Sequence, residues 1–294
     1  MKRKISVICT VRNEESTIKE LVNSLLAQKR RPDEIIFVDG GSADRTLGIL
    51  KSYGKRLRVI SSPGANIAKG RNIAIRSAKG EWIASIDGGC VADRDWLGNL
   101  ERKMPFADVV SGAYLPISRN MFERVQGAVV VKDPSSLGPG FLPSSRSIAF
   151  KKSAWLAVGG YPENTYTAED TLFDLKLKRG GFRFALARDA IVFWRMRPTL
   201  QKFAEQFFLY GKGDGKTGLV FRMPLNLGMA TGFLLAFALL FLGNFWLLGA
   251  IIAALILEAF SKARSVPEFP IALVLVSVKR LAYSAGAVRG VVSG

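Results

Sequence analysis

The first hundred residues alternate between short apolar runs and amphipathic ones. Ile5 to Thr10 is a β-branched run that reads as a buried strand. From Glu15 to Gln28 the apolar positions Ile18, Leu21, Val22, Leu25 and Leu26 recur at helical spacing. Glu34 to Val38 is strand-like again and stops at Asp39-Gly40-Gly41-Ser42. Ala43 to Tyr53 predicts a helix, Arg58 to Ser61 a strand, Ile67 to Ala78 a helix and Trp82 to Ile86 a strand. Strands alternating with helices imply βαβ units, hence an α/β fold with a mostly parallel, twisted sheet flanked by helices. In such sheets ligands bind beyond the carboxyl ends of the strands, where the polar clusters after Val38 and Ile86 fall.

Residues 104 to 165 are less regular and rich in Gly, Pro and Ser, and read as further strands and loops forming an acceptor side. Glu169 to Lys178 predicts the start of a helix. Thr199 to Tyr210 is amphipathic, and suits either a membrane interface or a packed surface helix. Gly211-Lys212-Gly213-Asp214-Gly215-Lys216 lacks the spacing and preceding strand of a phosphate loop. It reads as a flexible linker or closing loop, with Lys212 near the ligand.

Residues 223 to 257 then run for 35 positions without a charged side chain. One helix of that length would span about 52 Å, well beyond the roughly 30 Å hydrocarbon layer. A hairpin turning at Gly243-Asn244 gives two short passes. Lys212, Lys216 and Arg222 precede the stretch, and Lys262 and Arg264 follow it, so both flanks are expected on the cytoplasmic side. Pro270 to Val278 is a third apolar run, broken by Lys279 and Arg280, and is expected to be interfacial or re-entrant. The expected layout is a cytosolic domain over residues 1–215 and a C-terminal membrane segment over 216–294. The hairpin would cover about 223–260 and the interfacial segment about 270–292.

Composition narrows the chemistry. The 42 Lys and Arg against 24 Asp and Glu give a net charge of +18 over 294 residues. A basic head suits an anionic membrane leaflet or an anionic ligand such as a nucleoside diphosphate. The charge is scattered and no nucleic-acid motif appears, so no nucleic-acid partner is expected. Histidine is absent, which removes imidazole bases and Ser-His-Asp triads and leaves proton transfer to Asp, Glu, Lys, Tyr or Cys. Cys9 and Cys90 lie in or beside apolar runs and read as buried free thiols. The apolar run Ile5 to Cys9 is too short for a signal-peptide core, so the head is expected in the cytosol.

Asp39 and Asp87 each end an apolar strand, where a carboxylate can accept hydrogen bonds from a base or ribose, or hold a hard cation against a diphosphate. Glu169 and Asp170 open a helix, a position that also suits a helix cap. Taken together, several stretches closely resemble the family 2 glycosyltransferases with their GT-A fold. They are Ile5 to Glu15, Val38-Asp39-Gly40-Gly41-Ser42-Ala43-Asp44, Gly70-Arg71-Asn72, Ala78-Lys79-Gly80-Glu81, Ile86-Asp87-Gly88-Gly89, Val158-Gly159-Gly160-Tyr161 and Ala168-Glu169-Asp170. The resemblance covers about residues 4 to 215.

It implies that Thr10, Arg12 and Glu14 line a nucleotide pocket, that Asp39 holds the base and that Arg71 approaches the ribose or phosphates. Asp87 would open the DXD motif and bind a divalent cation, Mg²⁺ or Mn²⁺. Asp170, with Glu169 beside it, would be the general base. The sequence departs from the family pattern twice. Gly89 replaces the second Asp of the DXD motif, leaving one carboxylate for the metal unless Asp93 or water assists. Gln206 is followed by Leu209-Tyr210 where processive members carry Arg-Trp, which argues for one sugar per encounter. The implied function is inverting transfer from a UDP- or GDP-sugar to a lipid-linked or membrane-proximal glycan acceptor at the cell membrane. The alternatives are a polyprenyl-phosphate glycosyltransferase and a catalytically silent nucleotide-sugar-binding module.

Overall fold

The computed structural model describes residues 3–138, 140–165, 167–222, 228, 232 and 245–293. The chain falls into two compact units, Met1–Leu115 with Lys132–Arg195, and Pro116–Val131 with Met196–Gly294.

The first unit is built on an eight-stranded mixed sheet. Its strands are β1 (Ile5–Val11), β2 (Glu34–Asp39), β3 (Arg58–Ser61), β4 (Trp82–Ser85), β5 (Cys90–Ala92), β6 (Val109–Ile117), β7 (Ile148–Lys151) and β8 (Phe184–Arg195), in the order β3-β2-β1-β4-β7-β6-β8-β5. The first four run parallel, as the βαβ pattern implied. β7 is antiparallel to both β4 and β6, and β5 to β8, so the second half of the sheet departs from the parallel arrangement. Helices α1 (Ile18–Leu26), α2 (Thr46–Ser52), α3 (Ile67–Ser77), α4 (Trp96–Lys103), α6 (Lys152–Ala157) and α7 (Glu169–Arg179) complete the unit, α5 (Met121–Val130) belonging to the second. The core gathers Ile8, Ile36, Val38, Ile83, Ile148, Phe150, Phe173 and Leu177, apolar residues from both halves of the sheet and from α7. Tyr161 stacks on Phe173 at 4.1 Å between ring centroids and so joins this core.

The second unit contains α5, α8 (Leu200–Lys216), α9 (Leu219–Arg222), α10 (Phe245–Lys262) and α11 (Glu268–Ser293). Two expectations are corrected here. The glycine-rich run 211–216 is the end of α8, not a linker. Gly211 and Gly215 face Tyr283 and Ala287 of α11 so closely that a Cβ on either would collide with the opposing backbone. Gly286 and Gly290 of α11 answer with the same close approach to Phe208 and Lys212. Small residues four apart on both helices let the backbones touch, and that packing holds the glycines helical. The apolar run expected to be broken at Lys279 and Arg280 continues through them in one 26-residue helix, α11. Lys279 and Arg280 do not interrupt it because Glu258 of α10 pairs with both, Arg280 Nε donating to its Oε2 at 3.0 Å and Lys279 Nζ lying 3.5 Å from Oε1. Among the described residues α11 alone is long and apolar enough to cross a membrane, at mean hydropathy 1.6. The Gly243-Asn244 turn and the first arm of the expected hairpin lie outside the described residues.

Candidate active site

The carboxyl ends of β1, β2 and β4 lie side by side. Past β1 the chain turns at Asn13, whose φ of 56° is left-handed, a conformation Asn tolerates better than most residues. This loop is tied to the one after β2. Asn13 N donates to Ser42 Oγ at 2.9 Å, Ala43 N to Asn13 Oδ1 at 2.9 Å and Glu14 N to Thr46 Oγ1 at 2.7 Å. Arg12 is exposed at the end of β1. Asp39, at the end of β2, is buried and accepts from Gly41 N and Ser42 N, both at 3.1 Å, so its carboxylate shapes its own turn. Glu14 lies against the turn after β4, since a Cβ on Gly88 would stand 3.0 Å from Glu14 Oε1.

Helix α3 carries the centre. Asn66 caps it, its side chain accepting from Lys69 N at 2.9 Å. Gly70 packs directly on Thr10, leaving no room for a Cβ, which draws α3 against the end of β1. Arg71 follows and is buried. Its Nη2 donates to Asp87 Oδ1 at 2.6 Å, and its Nη1 to Glu169 Oε1 at 2.8 Å and Asp170 Oδ1 at 2.7 Å. One guanidinium thus gathers the acid that ends β4 and both acids that open α7. The resemblance has Arg71 approaching the ribose or phosphates; in this structure its Nη1 and Nη2 donate to these three carboxylates. Asn72 beside it holds the segment before α7, donating to Tyr161 O at 2.8 Å and accepting from Trp155 Nε1 at 2.9 Å.

Asp170 is braced from the β6–β7 connection. Ser145 Oγ donates to its Oδ1 at 2.6 Å, Ser145 N to its Oδ2 at 3.1 Å and Ser144 Oγ to its Oδ2 at 3.3 Å. Ser145 Oγ also meets Tyr161 Oη at 2.9 Å. The two serines therefore position the acid, a role their loop-like sequence did not announce. The helix is entered through Ala168 at φ 71°, a left-handed alanine that aims the following acids at Arg71.

The two neighbouring acids titrate apart. Burial would raise Asp170, but Arg71 and the Ser145 hydroxyl outweigh it and hold the carboxyl below its usual range. Burial, with the Asp170 charge beside it, pushes Glu169 up to about 7. The Asp170 side chain is 24% exposed and that of Glu169 only 7%. One turn on, burial and then Asp170 push Asp174 well up, and its Oδ2 finds no hydrogen-bond partner among the described residues. This third acid lies buried behind Asp170, at a spacing of four on α7 that the sequence displays but that nothing local marks as buried.

Asp87 is the residue the resemblance gives to a divalent cation. Asp93, the other candidate, turns away to accept from Asp95 N at 2.9 Å before α4. Among the described residues no three acidic or thiol side chains form a cage for a metal. Asp87 is the one carboxylate that the resemblance assigns to the cation. Mg²⁺ is commonly held by one or two carboxylates together with substrate phosphates, and Asp87 fits that arrangement as a single anchor.

The model of the family named Glycosyl transferase family 2 matches residues 6–155, half of the chain. This chain belongs to that family. It is a glycosyltransferase. The provisionally named glycosyltransferase EpsE of Bacillus subtilis (strain 168) is 28% identical over 221 residues, covering 70% of this chain and 77% of EpsE. Two solved structures share the GT-A-type fold. Mannosyltransferase PcManGT from Pyrobaculum calidifontis, in complex with GDP-Man and Mn²⁺, has a TM-score of 0.65 at 20% identity, covering 99% of this chain and 87% of that one. TarS 1-349 of S. aureus with UDP-GlcNAc has a TM-score of 0.56 at 22% identity, covering 71% and 65%. Some curated relatives are much longer; the match spans 35% of full-length TarS. The family match takes in β1 to β7, and with them Arg71 and Asp87, while Glu169 and Asp170 lie beyond it.

Proposed function

We propose that this family 2 enzyme is a membrane-anchored, non-processive inverting transferase. It moves one sugar from a UDP- or GDP-sugar to a hydroxyl of a lipid-linked or membrane-proximal glycan on the cytoplasmic side. The observation that carries this reading is the convergence of Asp87, Glu169 and Asp170 on Arg71 within 2.6–2.8 Å, beside the carboxyl ends of the parallel strands. A catalytically silent module would have no use for a buried guanidinium surrounded by acids, and such an arrangement is costly unless every partner is kept. UDP-GlcNAc in TarS and GDP-Man in PcManGT support a nucleotide-sugar donor.

In this reading Thr10, Arg12, Glu14 and Asp39 form the nucleotide side of the crevice, where the loops after β1 and β2 are tied together. Departure of the nucleoside diphosphate builds negative charge next to Asp87. A divalent cation held there, as Mn²⁺ accompanies GDP-Man in PcManGT, supplies Lewis-acid stabilisation of the leaving diphosphate. Asp170 takes the proton of the acceptor hydroxyl. It is ionised at neutral pH, it is the more exposed of the two neighbouring acids, and two serines fix its direction. A single displacement with the base opposite the leaving group inverts the anomeric centre. Arg71 holds base and leaving-group acid in one frame. α11, with the apolar stretch before it, supplies the anchor, and the basic residues on its flanks face the cytoplasmic leaflet.

The test is release of nucleoside diphosphate from a donor panel by the full chain in detergent. It is run with Mg²⁺, Mn²⁺ or chelator, with and without membrane lipid extract, beside Asp170→Asn. The reading expects acceptor-stimulated release that Asp170→Asn lowers by roughly 10²–10⁴ while donor binding persists. Donor binding without turnover under every condition would establish the silent module, and turnover that requires a polyprenyl phosphate as acceptor would establish a polyprenyl-phosphate glycosyltransferase.

A further inference from the structure

Arg146 stands in the loop before β7, directly after the two serines that brace Asp170. Its guanidinium lies over the Trp194 ring at 4.1 Å and near the Tyr114 ring at 5.6 Å. Those two rings meet edge to face, at 89° and 6.0 Å, and so form a fixed corner. Ser144 Oγ accepts from Nη1 at 3.0 Å. Stacking on an aromatic face fixes the plane of a guanidinium through its π surface and not through its edge, where hydrogen-bond donors lie. Asp87 Oδ2 lies 3.9 Å from its Nε, which places the guanidinium beside the acid that the resemblance gives to the cation. The Arg146 side chain is 17% exposed.

The contrast with Arg71 gives this side chain its role. Arg71 is 2% exposed and committed to three carboxylates, so it cannot turn to a ligand without stranding buried acids. A diphosphate entering beside Asp87 therefore meets three acids and one committed cation. Gly89 offers no second carboxylate to strengthen a metal there. Arg146 is the second cation at this point, held in plane by the aromatic corner.

We propose that Arg146 binds the donor diphosphate directly, sharing with the Asp87 cation the charge that a second DXD carboxylate would help a metal to carry. The assignment rests on the nucleotide-sugar reading above. Trp194 and Tyr114 are its positioning residues. The contact makes diphosphate binding partly independent of metal, and it forms with the planar, two-point geometry that guanidinium and phosphate share.

Calorimetric titration of the full chain in detergent, with chelator present, tests this. The probes are uridine diphosphate and guanosine diphosphate, each against its nucleoside. Arg146→Gln is expected to weaken the diphosphate about tenfold or more, the range of a charge-assisted hydrogen bond, and to leave the nucleoside unchanged. Arg146→Lys keeps the charge but not the fork and should fall between. Trp194→Leu, which keeps Arg146 but removes its platform, should also weaken the diphosphate alone. An unchanged diphosphate Kd in Arg146→Gln overturns the assignment, as does an equal loss for the nucleoside, which would mark a structural role. A change confined to the KM of the acceptor overturns it too, in favour of the acceptor's phosphate. Binding by the unaltered chain only after Mg²⁺ or Mn²⁺ is restored overturns the assignment, whereas binding of neither diphosphate even with metal means that the nucleotide-sugar reading itself fails.

Discussion

Replacing Glu169 with Gln should stabilise the protein, and increasingly so as pH rises. Glu169 is an acid raised from 4.5 to about 7 by burial and by the charge of Asp170. The folded state therefore binds its proton more tightly than the unfolded chain. The sign follows: the penalty is absent below the unfolded value, grows between about 4.5 and 7, and is complete above. Worked from those two values, ionised Glu169 costs almost nothing at pH 4, about 1 kcal/mol at pH 5 and about 3 kcal/mol at pH 8. Gln keeps the shape and an oxygen for Arg71 Nη1, while Asp87 and Asp170 still neutralise the guanidinium. Any packing cost of the amide is the same at every pH, so the readout is the change in the difference between the two proteins. Near 2–4 °C per kcal/mol for a unit of this size, Glu169→Gln should gain roughly 6–12 °C in Tm on its parent between pH 4 and pH 8. Melting both by circular dichroism across that range decides it. A difference that does not vary with pH, or that shrinks as pH rises, would falsify the electrostatic account of Glu169.

The pH dependence of kcat separates the two acids: with Asp170 held low as the base, activity should stay level from pH 8 to pH 6, whereas a Glu169 base would make it fall about tenfold across that window. Arg71→Lys keeps the charge but loses the fork, and should lower kcat by about 10²-fold with little change in the nucleoside Kd; wild-type turnover in this variant would refute the positioning role. Gly286→Val places side-chain atoms against the Phe208 carbonyl and should lower the stability of the helical unit by about 1–3 kcal/mol, read by thermal melting in detergent, where an unchanged Tm would contradict the close packing of α8 on α11.

The strands and helices from β1 to β4 could be placed from the sequence to within about three residues of their ends, because there periodicity and burial agree, while β5 and α4 were not foreseen. β1, predicted to Thr10, ends at Val11, and α3, predicted to Ala78, ends at Ser77. Where they disagree the reading failed. Met121–Val130 is helical inside a stretch whose glycines and prolines suggested loop, and Gly127 is there because it packs on Pro116. The glycines of α8 looked like a linker because each lowers helix propensity, yet tertiary packing overrides that cost. Lys279 and Arg280 appeared to end an apolar run because their partner, Glu258, is on another helix. At the site, strand-end position singled out Asp39 and Asp87, and the family likeness added Arg71, Glu169 and Asp170. What no pattern could supply was the direction of Arg71: whether a guanidinium turns to a ligand or to acids depends on contacts between residues nearly a hundred positions apart. Ser145 and Tyr161 were hidden for the same reason.

The arrangement around Arg71 also acts as a ruler. Two carboxylates bound to the two ends of one planar guanidinium, at 2.6 and 2.7 Å, are held within about 8 Å of each other. In a single displacement the attacking and leaving oxygens lie on opposite sides of one carbon, the attacker about 3 Å from it at near-attack distance and the leaving oxygen still bonded to it. A base and a leaving-group acid must therefore be spaced by roughly that span plus a hydrogen bond. Asp87 comes from the end of a strand and Asp170 from the start of a helix 83 positions later in the sequence, so neither backbone element alone fixes their separation. The shared guanidinium does. Its burial is then part of the catalytic geometry: an arginine free to reach solvent could not hold that distance. In the proposed mechanism the diphosphate then draws on the cation held by Asp87 and on the neighbouring guanidinium of Arg146.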